Sequence, residues 1–228
     1  MPVARLNRKV AAVAVKAETE ITQARSRKIW IALIVMAVIA LVAAFFLDQG
    51  TAIWINAHSS PELKRVMRMV SRVGDWPAHM IAGAIGLAIA LAVGSKAWMR
   101  IFLAMLLALA LAGLTTRAMK IATGRARPFV KTEARWNGPQ LSSKYHAFPS
   151  GHTASSTAFF VALFFARKKI GGPLLLIPIL IALSRMILGA HYLSDVTVAA
   201  VVGVICALLA VHWLYKIGTP HSAIEGRG

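Results

Sequence analysis

Three short polar clusters interrupt the apolar second half of the chain and hold the residue types that can do chemistry. Together they supply two imidazoles, one carboxylate, three cations and two small residues: Lys120, Arg127, Ser150, Gly151, His152, Arg185, His191 and Asp195. An ionisable group within or beside an apolar membrane segment is costly, and such a group marks a candidate functional site. The spacing within each cluster indicates what that site would bind.

The first cluster offers cations at the end of an apolar run. Lys120 and Arg127, with Arg125 nearby, provide donors that suit phosphate oxygens. Gly124 and Pro128 indicate that the chain leaves a helix at this point. Basic side chains that reach from a helix end toward lipid headgroups would give the same pattern, and that alternative stays open.

The second cluster is the string Pro149-Ser150-Gly151-His152, directly before an apolar segment. Ser150 can cap the helix that follows, and the free backbone amides around Gly151 would then face an anion. The string therefore predicts a phosphate-binding helix start with His152 at its rim. A plain capping turn is an equally good interpretation of these residues alone.

The third cluster pairs an imidazole with a carboxylate. His191 and Asp195 are four residues apart at the start of the last apolar segment, which predicts that they share one helical face. A carboxylate within hydrogen-bond reach fixes the tautomer of an imidazole and leaves its other nitrogen free to attack. Arg185 could neutralise the phosphoryl group under attack, whereas a purely structural His–Asp pair is the alternative.

A metal site is the other interpretation of these side chains, because His152, His191 and Asp195 are all possible ligands. The surrounding cations would repel a divalent metal and attract an anion instead. We therefore expect neither a metal nor a cofactor.

Composition places these clusters in a membrane protein. Of 228 residues, 58% are hydrophobic and 15% are charged, and the mean hydropathy is +0.66. Helices of about 20 apolar residues cross the roughly 30 Å of bilayer hydrocarbon. The sequence predicts an all-α, multi-pass protein with six transmembrane helices: 29–47, 77–93, 101–116, 153–166, 173–188 and 196–215. The fourth is short and spans only if its polar flank enters the membrane edge.

The stretch 51–73 differs from the apolar segments. Lys64, Arg65, Arg68 and Arg72 are interleaved with apolar residues at spacings of three and four. This pattern favours an additional interfacial amphipathic helix at the level of the headgroups. A solvated loop helix without a role in lipid binding is the alternative.

The domain organisation follows from these segments. Residues 1–28 form a basic tail, residues 29–215 a membrane domain and residues 216–228 a second tail. The net charge of +18 is distributed around the membrane segments. This distribution favours anionic lipid headgroups or phosphate as partners and argues against nucleic acid.

The first apolar segment sets the expected orientation. Arg25, Arg27 and Lys28 precede it and Asp48 follows it, which favours a cytoplasmic N-terminus. With six helices, both tails would be cytoplasmic. All three polar clusters would then lie on the outward side.

The three clusters follow one pattern: Lys, six residues, Arg-Pro; then Pro-Ser-Gly-His; then Ser-Arg, five residues, His, three residues, Asp. The chain carries it at Lys120 with Arg127-Pro128, at 149–152, and at 184–195. In this order and spacing the sequence resembles the type 2 phosphatidic acid phosphatase (PAP2) family of membrane lipid phosphatases.

The resemblance implies a metal-independent phosphomonoesterase or pyrophosphatase of a bacterial cytoplasmic membrane. His191 would be the nucleophile that forms a phosphohistidine, oriented by Asp195, and His152 would protonate the leaving oxygen and then activate water. The phosphate-binding residues would be Lys120, Arg127, Ser150, Gly151 and Arg185.

Candidate substrates of such an enzyme are phosphatidic acid, phosphatidylglycerophosphate, a polyprenyl pyrophosphate and the phosphate of a lipid A precursor. Two other functions compete with hydrolysis. A phosphotransferase would pass the phosphoryl group to a second lipid. A non-catalytic transporter or lipid-binding protein would use the polar residues to line a pathway.

Overall fold

The computed structural model describes residues 2–130 and 132–217, with side chains described mainly from residue 34 to residue 214. In these residues the chain is helical, and its only extended pairing is an isolated bridge between Arg125 and Trp136. The all-α prediction is confirmed. The helices are α1 (Pro2–His58), α2 (Pro61–Val73), α3 (Trp76–Ala92), α4 (Lys96–Thr123), α5 (Gly151–Ala166), α6 (Lys168–Leu174), α7 (Leu176–Ile187) and α8 (Leu193–Ile217), with a 3-10 turn at Ser143–Tyr145.

The chain divides into two units, residues 1–43 and residues 44–228. The first unit consists of most of α1. The second contains the end of α1 and all other helices, and every residue of the candidate site belongs to it. The expected C-terminal tail lies largely outside the described residues, as do the side chains of the expected N-terminal tail.

Helix α1 extends further than the sequence predicts. We expected the first apolar segment to end at residue 47 and residues 51–73 to form one amphipathic stretch, but α1 continues to His58. The only glycine between residues 48 and 58 is Gly50, and this stretch contains no proline, so nothing stops the helix there. The break comes at Ser60, whose hydroxyl oxygen accepts from the amide of Leu63 and thereby caps α2.

The amphipathic helix is present as α2, which carries the four predicted cations. It packs against α7 and α3, and Ser71 is its buried residue. Between α2 and α3 the chain bends by 44°. The location of α2 at the headgroup level remains a prediction.

The predicted number of six membrane spans is not confirmed. By length and composition, four segments could cross a membrane: Ile34–His58, Lys96–Thr123, Lys168–Ile187 and Leu193–Leu214. The bent pair α2–α3 would make a fifth. Helix α5 has 16 residues and is therefore about 24 Å long, shorter than the hydrocarbon core. The other predicted segments coincide with helices but differ from them at the ends.

The core is formed by α5 between α4 and α8. Its central side chains are alanines with no exposed surface: Ala108, Ala112, Ala154, Ala158, Ala162, Ala199, Ala207 and Ala210. Small residues allow helices to approach closely in a membrane, where no hydrophobic effect drives them together. Gly203 of α8 is so close to α5 that an added Cβ would lie 2.7 Å from the Ala154 carbonyl oxygen. This packing brings the first residues of α5 and α8 together.

Apolar side chains also cover the outside of the helices. Leu114 of α4 is 71% exposed, and Ile85, Ile179 and Leu209 are each more than half exposed. Exposed apolar surface of this extent indicates contact with lipid. The chain is therefore an integral membrane protein.

Candidate active site

Residues of all three polar clusters line one cavity of about 560 Å³. Six of the eight predicted site residues contribute to its lining: Lys120, Arg127, Gly151, His152, Arg185 and His191. The other two, Ser150 and Asp195, are fully buried. Among the residues that the structure describes, the cavity lining contains four cations, with Arg117 as the fourth, and one carboxylate, Asp75. Its charge therefore favours an anion.

His191 lies in the turn between α7 and α8, which Gly189 allows with a φ of +66°. Its Nδ1 lies 2.6 Å from the carbonyl oxygen of Ala147. A carbonyl oxygen only accepts, so Nδ1 carries the proton and Nε2 of the neutral ring keeps its lone pair. The segment before α5 thus fixes the tautomer of the imidazole.

The electrostatic surroundings keep this imidazole neutral. Burial lowers the pKa of His191 well below its ordinary value of 6.5, and the nearby cations Lys120, Arg185 and Arg127 lower it further. The hydrogen bond to Ala147 acts in the opposite direction. At neutral pH the ring is therefore uncharged, as a nitrogen nucleophile must be.

The relationship between His191 and Asp195 differs from the expected one. Helix α8 begins at Leu193, so the two residues do not share a helical face. The Asp195 carboxylate oxygen Oδ2 lies 3.6 Å from Nδ1 of His191 and accepts instead from the amide of Tyr192 at 2.7 Å. Asp195 is near enough to stabilise positive charge on the ring, but the direct hydrogen-bond partner is Ala147.

Arg125 does not face the cavity, contrary to the expectation that it would help to bind phosphate. Its guanidinium is 1% exposed and forms ion pairs with Asp48 and Asp195, each at 2.5 Å. Ser194 completes the group, because its hydroxyl and its amide both donate to the Asp48 carboxylate. The rings of Trp136 and Tyr192 lie 4.6 and 4.5 Å from the guanidinium carbon. Arg125 therefore has a structural position behind Asp195.

The role expected of Asp48 changes with this finding. We expected Asp48 to follow the first apolar segment and to mark its outward end. It is instead buried within α1 and paired with Arg125. An aspartate at this position is therefore explained by the ion pair with Arg125. It does not show which end of α1 faces outward.

His152 has a carboxylate neighbour that sequence reasoning missed. Its Nε2 lies 3.7 Å from Oδ1 of Asp75, and both residues line the cavity. Asp75 is the N-cap of α3, and its Oδ1 accepts from the amide of Trp76 at 2.9 Å. The string Asp-Trp-Pro signals a helix start in the sequence, but nothing in it indicates contact with α5.

The start of α5 also differs in detail from the prediction. Ser150 occupies the N-cap position, but its side chain makes no capping bond. Its hydroxyl oxygen accepts from the hydroxyl of Thr153, and its amide donates to the backbone oxygen of Asp195 at 3.1 Å. Ser150 thus joins α5 to α8, and Gly151 is the member of this pair that lines the cavity.

Within the part of the chain that the structure describes, the side chain of each of the three predicted phosphate-binding cations forms a single hydrogen bond. Lys120 Nζ donates to the backbone oxygen of His146 at 2.8 Å, and Arg127 Nε donates to that of Ser143 at 3.0 Å. Arg185 donates to the Ser71 hydroxyl at 2.6 Å, and its Nε has no partner among the described residues. Lysine has three donors and arginine five, so most donors stay free for an anion.

The fold and the site together define an integral membrane protein with a cationic cavity that contains two imidazoles. The sequence of residues 101–218 matches the model of the PAP2 superfamily. The chain therefore belongs to this superfamily, as its motifs led us to expect.

Two characterised relatives are similar to parts of the chain. The undecaprenyl-diphosphatase BcrC of Bacillus subtilis is 36% identical over 83 residues, which are 36% of this chain and 42% of that protein. The lipid A 1-phosphatase of Rhizobium johnstonii is 34% identical over 105 residues, 42% of this chain and 41% of that protein. The chain thus spans about two fifths of the length of these relatives.

Two crystal structures share the fold. One is LpxE of Aquifex aeolicus, with a TM-score of 0.59 and 22% identity, covering 73% of this chain and 95% of that one. The other is a transmembrane PAP2-type phosphatidylglycerolphosphate phosphatase of Bacillus subtilis, with the same score and identity, covering 82% of this chain and 96% of that one.

Proposed function

We propose that the chain is a lipid phosphatase that hydrolyses a phosphomonoester or a pyrophosphate on a membrane lipid through a phosphohistidine, without a metal. One observation carries this proposal. His191 is a neutral imidazole whose Nδ1–H donates to Ala147, and it lines the same cationic cavity as His152. A neutral ring nitrogen among fixed cations is suited to attack a phosphorus atom.

In the first step the lone pair of His191 Nε2 forms a bond to phosphorus, and the bond between phosphorus and the leaving oxygen breaks. His152, which enters this step in its protonated form, donates a proton to that oxygen and becomes neutral. In the second step His152 takes a proton from water, the water oxygen attacks phosphorus and the P–N bond breaks. Inorganic phosphate and the dephosphorylated lipid leave, and both imidazoles return to their starting states.

The other predicted residues have supporting parts. Lys120, Arg127 and Arg185 would bind the phosphate oxygens with their free donors, and the backbone at Gly151 would complete the site. Asp195 would stabilise the positive charge that develops on the imidazole ring. Ser150, which is buried, would act by holding the start of α5 against α8.

The substrate class and the location are parts of the same proposal. The names of the two relatives point to a polyprenyl diphosphate or a lipid A phosphate as the first candidates among the four lipid classes. We infer that the protein lies in a bacterial cytoplasmic membrane with the cavity facing outward. The basic N-terminal tail would then lie in the cytoplasm.

Phosphate release by the detergent-purified protein tests the proposal. The wild type is assayed with each of the four lipid classes in the presence of EDTA. The variants His191→Ala and His152→Ala are assayed in the same way. The control is His212→Ala, which replaces an exposed histidine of α8. We expect release from at least one class, none with His191→Ala and a loss of about 10² to 10⁴ with His152→Ala, the usual contribution of general acid–base catalysis.

Activity that survives His191→Ala would contradict the nucleophile, and activity that EDTA abolishes would contradict metal independence. Labelled phosphate recovered on a second lipid instead of in solution would favour the phosphotransferase. Normal binding of the lipids without turnover in any assay would favour the non-catalytic binding protein.

A further inference from the structure

A second cavity, of about 460 Å³, lies beside the candidate active site. It is bounded by the end of α1, by α2, and by the turn that joins α7 to α8. His191 lines both cavities. The chemistry proposed above uses the larger cavity and leaves this one without a function.

The polar side of the second cavity is cationic. Lys64 and Arg68 lie one turn apart on α2, and both line it, whereas the described residues of its lining include no carboxylate. Lys64 Nζ lies 3.4 Å from the amide oxygen of Asn56, a neutral partner. Within residues 34–130 and 132–214, neither cation forms an ion pair. Two cations without a counter-charge in one cavity favour an anionic ligand.

The rest of the cavity lining is largely apolar. Its residues include Ile53 of α1, Phe129 after α4 and Leu188 after α7. Ile53 is 70% exposed and Phe129 is 62% exposed. A small free anion would leave this surface uncovered, whereas the glycerol and upper acyl chains of a lipid would cover it. The cavity therefore offers cations for the headgroup of an anionic lipid and an apolar surface for its acyl chains.

We propose that this cavity binds an anionic glycerophospholipid, with its phosphodiester against Lys64 and Arg68 and its apolar part against Ile53 and Phe129. The lipid is a second molecule and not the substrate. The reacting phosphate belongs among Lys120, Arg127 and Arg185 in the larger cavity, and a phosphodiester without a terminal phosphate offers His191 no phosphomonoester to attack. The lipid would also contact the turn that carries His191.

Native mass spectrometry of the full-length protein tests this site without turnover. The probe is phosphatidylglycerol, titrated against the wild type and the double variant Lys64→Gln/Arg68→Gln. The matched control, Arg65→Gln/Arg72→Gln, removes the same charge from the same helix at residues that do not line the cavity. We expect binding of one lipid to weaken about thirtyfold in the first variant, since each cation near a lipid surface contributes about fivefold. The control should change by less than about threefold.

If both double variants bind phosphatidylglycerol more weakly than the wild type by the same factor, the attraction is a general surface effect and the site is overturned. If both double variants bind it as tightly as the wild type, the site is also overturned. Competition identifies the ligand. Displacement by cardiolipin, a phosphodiester lipid, but not by phosphatidylcholine would support the site, and equal displacement by both would overturn the preference for an anionic lipid. Displacement by inorganic phosphate as readily as by lipid would show a free-anion site and overturn the lipid assignment.

The outcome is independent of the proposed phosphatase activity. His152→Ala, at a residue that lines only the larger cavity, should bind phosphatidylglycerol as the wild type does. An inactive protein that still shows the thirtyfold difference would keep the lipid site and lose the proposed function. An active protein that does not show this difference would keep the proposed function and lose the lipid site.

Discussion

Arg125 donates to the carboxylate of Asp195 at 2.5 Å while its other terminal nitrogen donates to Asp48 at the same distance. One buried guanidinium thus joins α1, the segment after α4 and the start of α8. Two carboxylates surround one cation. Of these two, the carboxylate of Asp195 lies 3.6 Å from the imidazole of His191. The carboxylate beside the candidate nucleophile therefore depends for its position on a residue that does not line the cavity.

The replacement Arg125→Met tests this dependence. It leaves two carboxylates buried without their cation, and breaking a buried ion pair in this way costs about 3 to 5 kcal/mol. We expect a strongly lowered melting temperature in detergent together with a loss of activity. The matched control, Arg100→Met on the exposed face of α4, should change neither. A normal melting temperature for Arg125→Met would show that the ion pairs contribute little to the stability of the fold.

The protonation of His191 gives a prediction about pH. Because its pKa in the folded protein is well below 6.5, the folded chain stays unprotonated at this residue when the pH falls through 6.5, whereas the unfolded chain takes up a proton. Unfolding thus becomes more favourable as the pH falls below 6.5, and above it this group adds no pH dependence.

Histidine-selective ¹⁵N spectra would measure this directly, with His191 assigned by its loss in His191→Gln. We expect a neutral ring with the proton on Nδ1 and no titration near pH 6.5. A signal that titrates at or above 6.5 would refute the electrostatic description of the site.

Replacement of Asp75 is expected to change kcat without raising KM. Asp75→Asn keeps the N-cap of α3, because asparagine caps as well as aspartate, but it removes the carboxylate next to His152. Protonated His152 then loses its counter-charge, so we expect kcat to fall about tenfold, part of the contribution of general acid–base catalysis. KM should stay equal or decrease, because an anionic substrate no longer meets a negative charge. The exposed Glu62→Gln serves as the control, and a raised KM with normal kcat would contradict this role.

Gly124 gives a prediction about the loop that carries Arg125 and Arg127. It ends α4 with a φ of +54°, and an added Cβ would collide with the carbonyl oxygen of Gly138. Gly124→Ala should therefore destabilise the protein by more than the roughly 1 to 2 kcal/mol of the left-handed backbone alone and should lower activity. Gly50→Ala, which meets no atom within 4 Å, should be neutral or slightly stabilising. Melting temperatures and phosphate release of the two variants, compared with those of the wild type, test this prediction.

Local patterns in the sequence were enough to find six of the residues that line the cavity. Glycine and proline marked the C-terminal end of α4 and the start of α5, and the order of the clusters placed Lys120, His152 and His191 in one family pattern. The apolar segments were likewise found by composition. Their ends were less predictable, because α1 continues beyond its apolar stretch and α5 is too short for a hydropathy criterion.

The supporting contacts could not be predicted because they depend on packing between distant parts of the chain. Arg125 and Asp48 are 77 residues apart, and an aspartate after an apolar segment looks the same whether it is solvated or buried. Ala147 fixes His191 through a backbone oxygen, which leaves no trace in the residue type. Asp75 was recognisable only as a helix cap.

With α2 at the level of the headgroups, as the sequence predicts, the hydrogen bond from Arg185 to Ser71 would make the shape of the bilayer a variable of the proposed chemistry. Ser71 is the buried residue of the amphipathic helix α2, so any tilt or vertical shift of that helix moves a contact of a cation in the cavity. Acyl-chain length, curvature and lateral tension act on such a helix. Rates measured in micelles of one detergent are therefore expected to differ from rates in bilayers of graded thickness, even when substrate and temperature are held constant.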